Sequence, residues 1–230
     1  WAYSIRRLCV ARIEFFMQAP CQMPNGLQAT SEGLWIVDQV TDDAILVDRR
    51  GRVLRRFFTE SENASGVTFG GGALWIGVNG ATTFRIHRKT DRHDTGLLKV
   101  DPHTGKTLAW YKMSGEGQDG IHGIEWVRGR IWVTRPGAKT IEIVDAKDGR
   151  VERVVNVALG RSHGMAWQDG HMWCVFTSDR VICKLDPRTG KAVQTIEAPK
   201  PNPEPHGFTI WDGDMLYCDA TTGAICRVIL

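Results

Sequence analysis

A glycine that opens a short apolar strand, followed at a fixed distance by an aromatic residue, recurs five times along the chain. The glycines are Gly26, Gly66, Gly123, Gly164 and Gly207. The aromatic lies nine residues on at Trp35, Trp75, Trp132 and Trp173, and ten on at Tyr217. Thirteen residues beyond the aromatic, three copies place an Asp that closes a further strand, at Asp48, Asp145 and Asp186. In the second copy that Asp is twenty-six residues away at Asp101, so this copy alone carries an insertion, roughly residues 79–95. The clearest copy, residues 121–151, shows four strand patterns separated by turns at Gly129, Gly137 and Gly149. A period near forty residues with four strands per unit predicts the blades of a β-propeller. The whole chain, residues 1–230, reads as one all-β domain: a five-bladed β-propeller with four-stranded blades.

The fifth copy reaches Leu230 after its third strand and lacks an outer one. Residues 12–18 alternate weakly in polarity and are expected to supply it, closing the ring and covering an otherwise exposed sheet edge. Along the inner strands, Leu27, Val67, Ile124, Met165 and Phe208 form one apolar column. Ala29, Phe69, Trp126, Trp167 and Ile210 form another, and the tryptophans belong to the core before any other role.

A net charge of +3, scattered along the sequence, gives no basic patch for nucleic acid. No apolar run is long enough to span a bilayer. The chain starts at Trp1 without a Met, which leaves room for a removed signal peptide or a trimmed tag. Cys174 and Cys218 fall one residue after their blade's aromatic, and Cys183 and Cys226 share the facing third-strand position. Other blades put Ile36, Ile76 and Val133 at the first of these positions, so the thiols are expected to be reduced and buried as small hydrophobes. Cross-strand disulfides are the alternative. Reduced cysteines would favour a cytoplasmic location.

In a propeller the inner strands start at one mouth of the central channel. The residues before the glycines, Asn25, Ser65, His122, His163 and His206, should therefore form a ring around it. Neutral imidazole is the commonest metal ligand near physiological pH, and three protein ligands plus water is the usual catalytic zinc arrangement. Alternatively, each imidazole bonds a neighbouring loop. One layer deeper lie Gln28, Thr68, Glu125, Ala166 and Thr209, with Glu125 the only carboxylate, a candidate base, ligand or orienting group or a water-bound channel residue. Strand-connecting loops should bring Asp38, Arg135, Asp219 and Thr221 to the same mouth, and the stretch before blade 3 adds Glu116 and Asp119. The insertion holds Arg85, His87, Arg88, Lys89, Arg92 and His93; it is either a cationic lid for an anionic ligand or a solvated loop. Serine-hydrolase, phosphate-loop and HExxH motifs are absent from the sequence.

The pattern HG-x5-G-x2-[LIM]-[WY], closed by D-x3-G, resembles the propellers of the NHL, YVTN and streptogramin (virginiamycin B) lyase kind. The resemblance covers nearly the whole chain and specifies fold better than activity. It implies a channel-mouth His as base beside a magnesium ion in a lactone-opening elimination, with His122, His163 and His206 matching the His-Gly motif. The same three positions resemble the zinc histidines of peptidyl-hydroxyglycine lyases. Five blades, instead of six or seven, narrow the channel. The expectation is a lyase or hydrolase using a divalent metal, zinc or magnesium, on a small-molecule substrate at the channel mouth. His122, His163 and His206 would be its ligands, His163 and Glu125 its catalytic pair, and Asn25, Ser65, Gln28, Asp38, Arg135 and Asp219 would line the ligand. A non-catalytic propeller binding a ligand or protein through this face is the alternative, and a metal-free His/Glu isomerase is a third reading.

Overall fold

The structure is a computed structural model that describes residues 7–82, 84–115 and 119–230. Short turns divide these residues into strands, with no α-helix among them. The chain begins with β1 (Arg7–Val10) and β2 (Arg12–Gln18). Blade 1 is β3 (Pro24–Ala29), β4 (Leu34–Asp38), β5 (Asp43–Val47) and β6 (Val53–Phe58). Blade 2 is β7 (Ala64–Gly70), β8 (Ala73–Asn79), β9 (Thr95–Val100) and β10 (Thr107–Lys112). Blade 3 is β11 (Ile124–Val127), β12 (Arg130–Arg135), β13 (Thr140–Asp145) and β14 (Val151–Asn156). Blade 4 is β15 (Ser162–Gln168), β16 (His171–Phe176), β17 (Val181–Leu185) and β18 (Ala192–Glu197). Blade 5 is β19 (Phe208–Trp211), β20 (Asp214–Cys218) and β21 (Ala224–Ile229), completed by β2.

The expected closure is present: β2 pairs antiparallel with β21, Arg12 opposite Ile229 and Phe15 opposite Cys226. The N-terminal segment also does something the pattern did not predict. Before entering blade 5, it runs as β1 parallel to β18, Arg7 opposite Gln194, and gives blade 4 a fifth strand. One segment thus covers the outer edges of two neighbouring sheets, removing two rows of unpaired backbone groups.

The repeated Asp and the repeated Gly have separate physical causes. Asp48, Asp101, Asp145 and Asp186 fold the turn after each third strand. Their Oδ1 atoms accept backbone N–H bonds from Arg50, His103, Lys147 and Arg188 at 2.8–2.9 Å. The strand-opening glycines are required by proximity. A Cβ on Gly26 would lie 2.7 Å from Val67 N, and one on Gly207 would lie 2.6 Å from Asn25 O. On Gly66, Gly123 and Gly164 it would come closer still to the backbone of the next blade. Five inner strands around one axis meet here backbone to backbone, and only Gly fits.

Trp35, Trp75, Trp132 and Trp173 are buried and stand opposite Gln28, Thr68, Glu125 and Ala166 on the inner strands. In blade 5 the extra residue matters. Tyr217 stands opposite Phe208, while Leu216 faces Thr209, so Tyr217 lies on the other face of its sheet. The same slip separates the cysteines. Cys174 is directly opposite Cys183, but Cys218 is opposite Ile225 and Cys226 opposite Tyr217. None of the four is in a disulfide, and all are buried.

Candidate functional site

The polar layer below the mouth stitches each blade to the next. Gln28 Oε1 accepts from Phe69 N at 3.3 Å, and Thr68 Oγ1 accepts from Trp126 N at 2.8 Å. Glu125 Oε1 accepts from Trp167 N at 3.0 Å, and Thr209 Oγ1 accepts from Ala29 N at 3.0 Å. Ala166 is the one position of the layer with no side chain to do this. The Thr68 hydroxyl has a single hydrogen, which its 2.6 Å contact with Gln28 Oε1 uses. Glu125 Oε2, 3.4 Å from the same hydroxyl, then serves best as a protonated donor. That agrees with burial raising its pKa to about 8. Burial thus favours the protonated form of Glu125 near pH 7.

Above the glycines, the register delivers the three imidazoles to one place. His122, His163 and His206 are all buried. The rings of His122 and His163 meet edge to face with centroids 4.4 Å apart, and those of His163 and His206 tilt against each other at 3.9 Å. Ser65 Oγ lies 3.4 Å from His122 Nδ1, and Asn79 Nδ2 lies 3.3 Å from His122 Nε2. Burial, with the neighbouring imidazoles next in weight, holds His163 well below its ordinary value. Burial and then Arg161 bring His206 down to about 3. Burial thus favours the neutral form of both rings near pH 7. His163 Nε2 and Asn25 Oδ1 are buried with no hydrogen-bond partner among the described residues. Both residues line a small axial cavity with Ser65 and the glycines, and at about 10 Å³ it has the room of one water.

The other expected residues are divided between the mouth and its scaffolding. Asp38 and Asp219 are buried, and their carboxylates shape loops: Asp38 Oδ1 accepts from Met23 N, and Asp219 Oδ2 from Glu204 N at 2.8 Å. Asp219 also lines an open depression of about 480 Å³ with Arg180, Lys200, Pro203, Glu204 and Thr221. Arg135 is buried and donates to Ser114 O at 2.6 Å. Glu116 lies outside the described residues. Asn79 had no role in the sequence reading; its place beside His122 follows from ending β8, one strand over from Ser65.

The insertion is not a cloud of free positive charge. Arg85 sits between Asp42 and Asp91 at 2.6 Å from each carboxylate, Arg88 reaches Asp91 at 3.1 Å, and Arg92 pairs with Glu60 at 2.7 Å. The lid reading therefore gives way to a loop whose guanidiniums are used internally. Within it, His87 and His93 both point Nδ1 at the carboxylate of Glu62. This is the one group of three His, Cys, Asp or Glu side chains among the described residues whose ligand atoms lie within 4.8 Å of one another.

Neither a known protein family nor a curated protein matches the sequence. Solved structures do match in shape. The glutaminyl cyclase of Myxococcus xanthus aligns with a TM-score of 0.74 at 12% identity, over 98% of this chain and 97% of that one. Virginiamycin B lyase from Staphylococcus aureus gives 0.56 at 16% identity, over 90% of this chain and 66% of that one. A streptogramin B lyase gives 0.55 at 15% identity, over 95% and 97%. At such identities the likeness is one of fold. In fold, the chain is a five-bladed β-propeller similar to the streptogramin lyase and glutaminyl cyclase propellers.

Proposed function

We propose that this propeller is a lyase or hydrolase acting on a small molecule at the imidazole-lined mouth, with His163 as general base. The observation that carries the reading is His163 itself. It is buried between two other imidazoles, burial favours its neutral form, and its Nε2 has no hydrogen-bond partner among the described residues. A neutral imidazole is free to accept a proton, and a bound group that brings negative charge beside it would raise its basicity toward the working pH. His122, oriented by Ser65 and Asn79, and His206, under the charge of Asp219, would spread the positive charge that develops.

A divalent ion shared by the three imidazoles is the expectation this geometry fits poorly. His122 has both nitrogens engaged, and the rings pack against one another instead of presenting nitrogens to one point. No step is therefore routed through a metal. A second reading has its own support: the protonated Glu125 carboxyl suits a cyclisation that expels ammonia, and the alignment with a glutaminyl cyclase spans both chains almost whole. Incubation with a streptogramin B and with an N-terminal glutaminyl peptide, read by mass spectrometry, separates these outcomes. Elimination leaves the lactone's mass unchanged while opening its ring, hydrolysis adds water, and cyclisation removes ammonia. His163→Ala should lower elimination or hydrolysis by about 100-fold or more. Turnover unaffected by His163→Ala rejects the assignment of the base, and cyclisation sensitive to Glu125→Gln moves the conclusion to the second reading.

A further inference from the structure

The insertion in blade 2 carries a second constellation, independent of the mouth. Glu62 comes from the segment that leads into β7, and its side chain is fully buried. His87 and His93 stand on the insertion with their side chains 54% and 59% exposed, so their outer ring atoms face water. Their inner Nδ1 atoms converge on Glu62, one on each carboxylate oxygen, the second at 2.5 Å. The two rings meet edge to face at 5.3 Å.

The frame that holds them does not depend on a ligand. Thr82 N donates to Glu62 Oε1 at 3.0 Å and fixes the carboxylate plane. Arg85 ties the loop to Asp42 and Asp91, and Arg92 N donates to Glu60 O at 2.9 Å. Gly80 takes a φ of 77°, and a Cβ there would meet His93 O at 2.8 Å, so the backbone of His93 is pressed against the start of the insertion. A buried anionic carboxylate flanked by two imidazole nitrogens, with solvent on the open side, is a preformed donor set.

We propose that Glu62, His87 and His93 form a binding site for a zinc-class divalent cation. Two nitrogen donors and one carboxylate select such an ion over magnesium or calcium, which prefer all-oxygen shells. In a tetrahedral shell with ligand distances of about 2.0–2.1 Å the donors stand about 3.3 Å apart, so the present contacts open by somewhat less than 1 Å. Rotation of the two exposed imidazoles supplies that opening. The fourth position faces water, which leaves it free for a solvent molecule or an anionic group of a ligand. The ion would also clip the insertion to the junction of blades 1 and 2.

The test uses untagged, metal-stripped protein titrated with zinc by calorimetry, and with cobalt(II) followed by its visible absorption. Wild type should take up one equivalent of zinc and give the intense bands of a four-coordinate cobalt site. His93→Ala and Glu62→Gln should each weaken zinc binding by about 100-fold or more. His163→Ala should bind zinc as wild type does. The exposed His93 can be removed without disturbing the core, so this variant carries the test even if Glu62→Gln unfolds. Absence of zinc uptake by wild type, uptake unchanged in His93→Ala, or uptake lost in His163→Ala overturns the proposal. The activity assigned to the mouth is unaffected by any of these results.

Discussion

Two groups of histidines in this molecule live in opposite environments. At the channel mouth, His122, His163 and His206 are buried and packed on one another, and burial keeps His163 and His206 neutral. On the insertion, His87 and His93 are more than half exposed and share a buried carboxylate. The residue type is the same and the chemistry differs. An imidazole among other imidazoles in a dry site stays unprotonated, and acts as a base only when a bound group restores its basicity. An imidazole beside a fixed anion and open to water suits a cation. Burial and the nearest charge, not the presence of histidine, decide which role is open.

The largest expected effect comes from the geometry that creates the mouth. Gly123→Ala drives a methyl into the backbone at His163, where neither strand can yield without opening the ring. It should cost about 3 kcal/mol or more in chemical denaturation, or prevent folding, and it removes the buried cluster while leaving the insertion's own contacts intact. Arg85→Ala attacks the other region. It removes the closer of the two guanidiniums from Asp42 and Asp91, both with fully buried side chains, and leaves them Arg88 at 3.9 and 3.1 Å. A loss of about 3 kcal/mol is expected, with weakened zinc uptake and unchanged titration of the channel histidines.

Much of this was legible in the sequence, for a definite reason. Gly26, Gly66, Gly123, Gly164 and Gly207 repeat because five strands crowd one axis, and the residue before each Gly is carried to the same ring. Spacing alone therefore places His122, His163 and His206 together. It cannot say how rings of that size will turn once they touch, so ring-on-ring packing in place of shared nitrogens was not readable. Glu62 was invisible for another reason. It belongs to a connection outside the repeat, and it meets His87 and His93 only because Arg85 folds the insertion back over blade 1. Residues 7–10 were missed because a parallel edge strand leaves no alternation peculiar to it. The blade 5 slip was visible as a spacing of ten instead of nine, and it reverses the face on which Tyr217 and Cys218 lie.

A smaller effect separates Glu125 from the histidines by pH. His163 and His206 have folded values below the ordinary 6.5, so the unfolded chain binds more protons there. Their contribution is complete above pH 6.5 and is lost as pH falls below it. Glu125 behaves oppositely. With a folded value of about 8 against an ordinary 4.5, the native state holds a proton that the unfolded state has released, and stability falls as pH rises. Between about pH 7.5 and 8, where the unfolded imidazoles have largely lost their protons, Glu125 acts nearly without the two histidines, at up to about 1.4 kcal/mol per pH unit. Denaturant midpoints across that window should decline for wild type, and Glu125→Gln should flatten the decline. An equal slope in both proteins removes Glu125 as the neutral acid of the channel. Smallest of all, Asn79→Ala should cost about 1 kcal/mol, since it takes one partner from His122 Nε2 and leaves Ser65 in place.

The claim on which the proposed base turns is that the mouth keeps His163 and His206 neutral. Long-range nitrogen-correlated NMR of the histidine rings, followed from pH 7.5 to pH 4.5, measures this directly. The account predicts that His163 and His206 keep the nitrogen shifts of neutral rings throughout, with one protonated and one bare nitrogen each. Titration of either ring near 6.5 would contradict it.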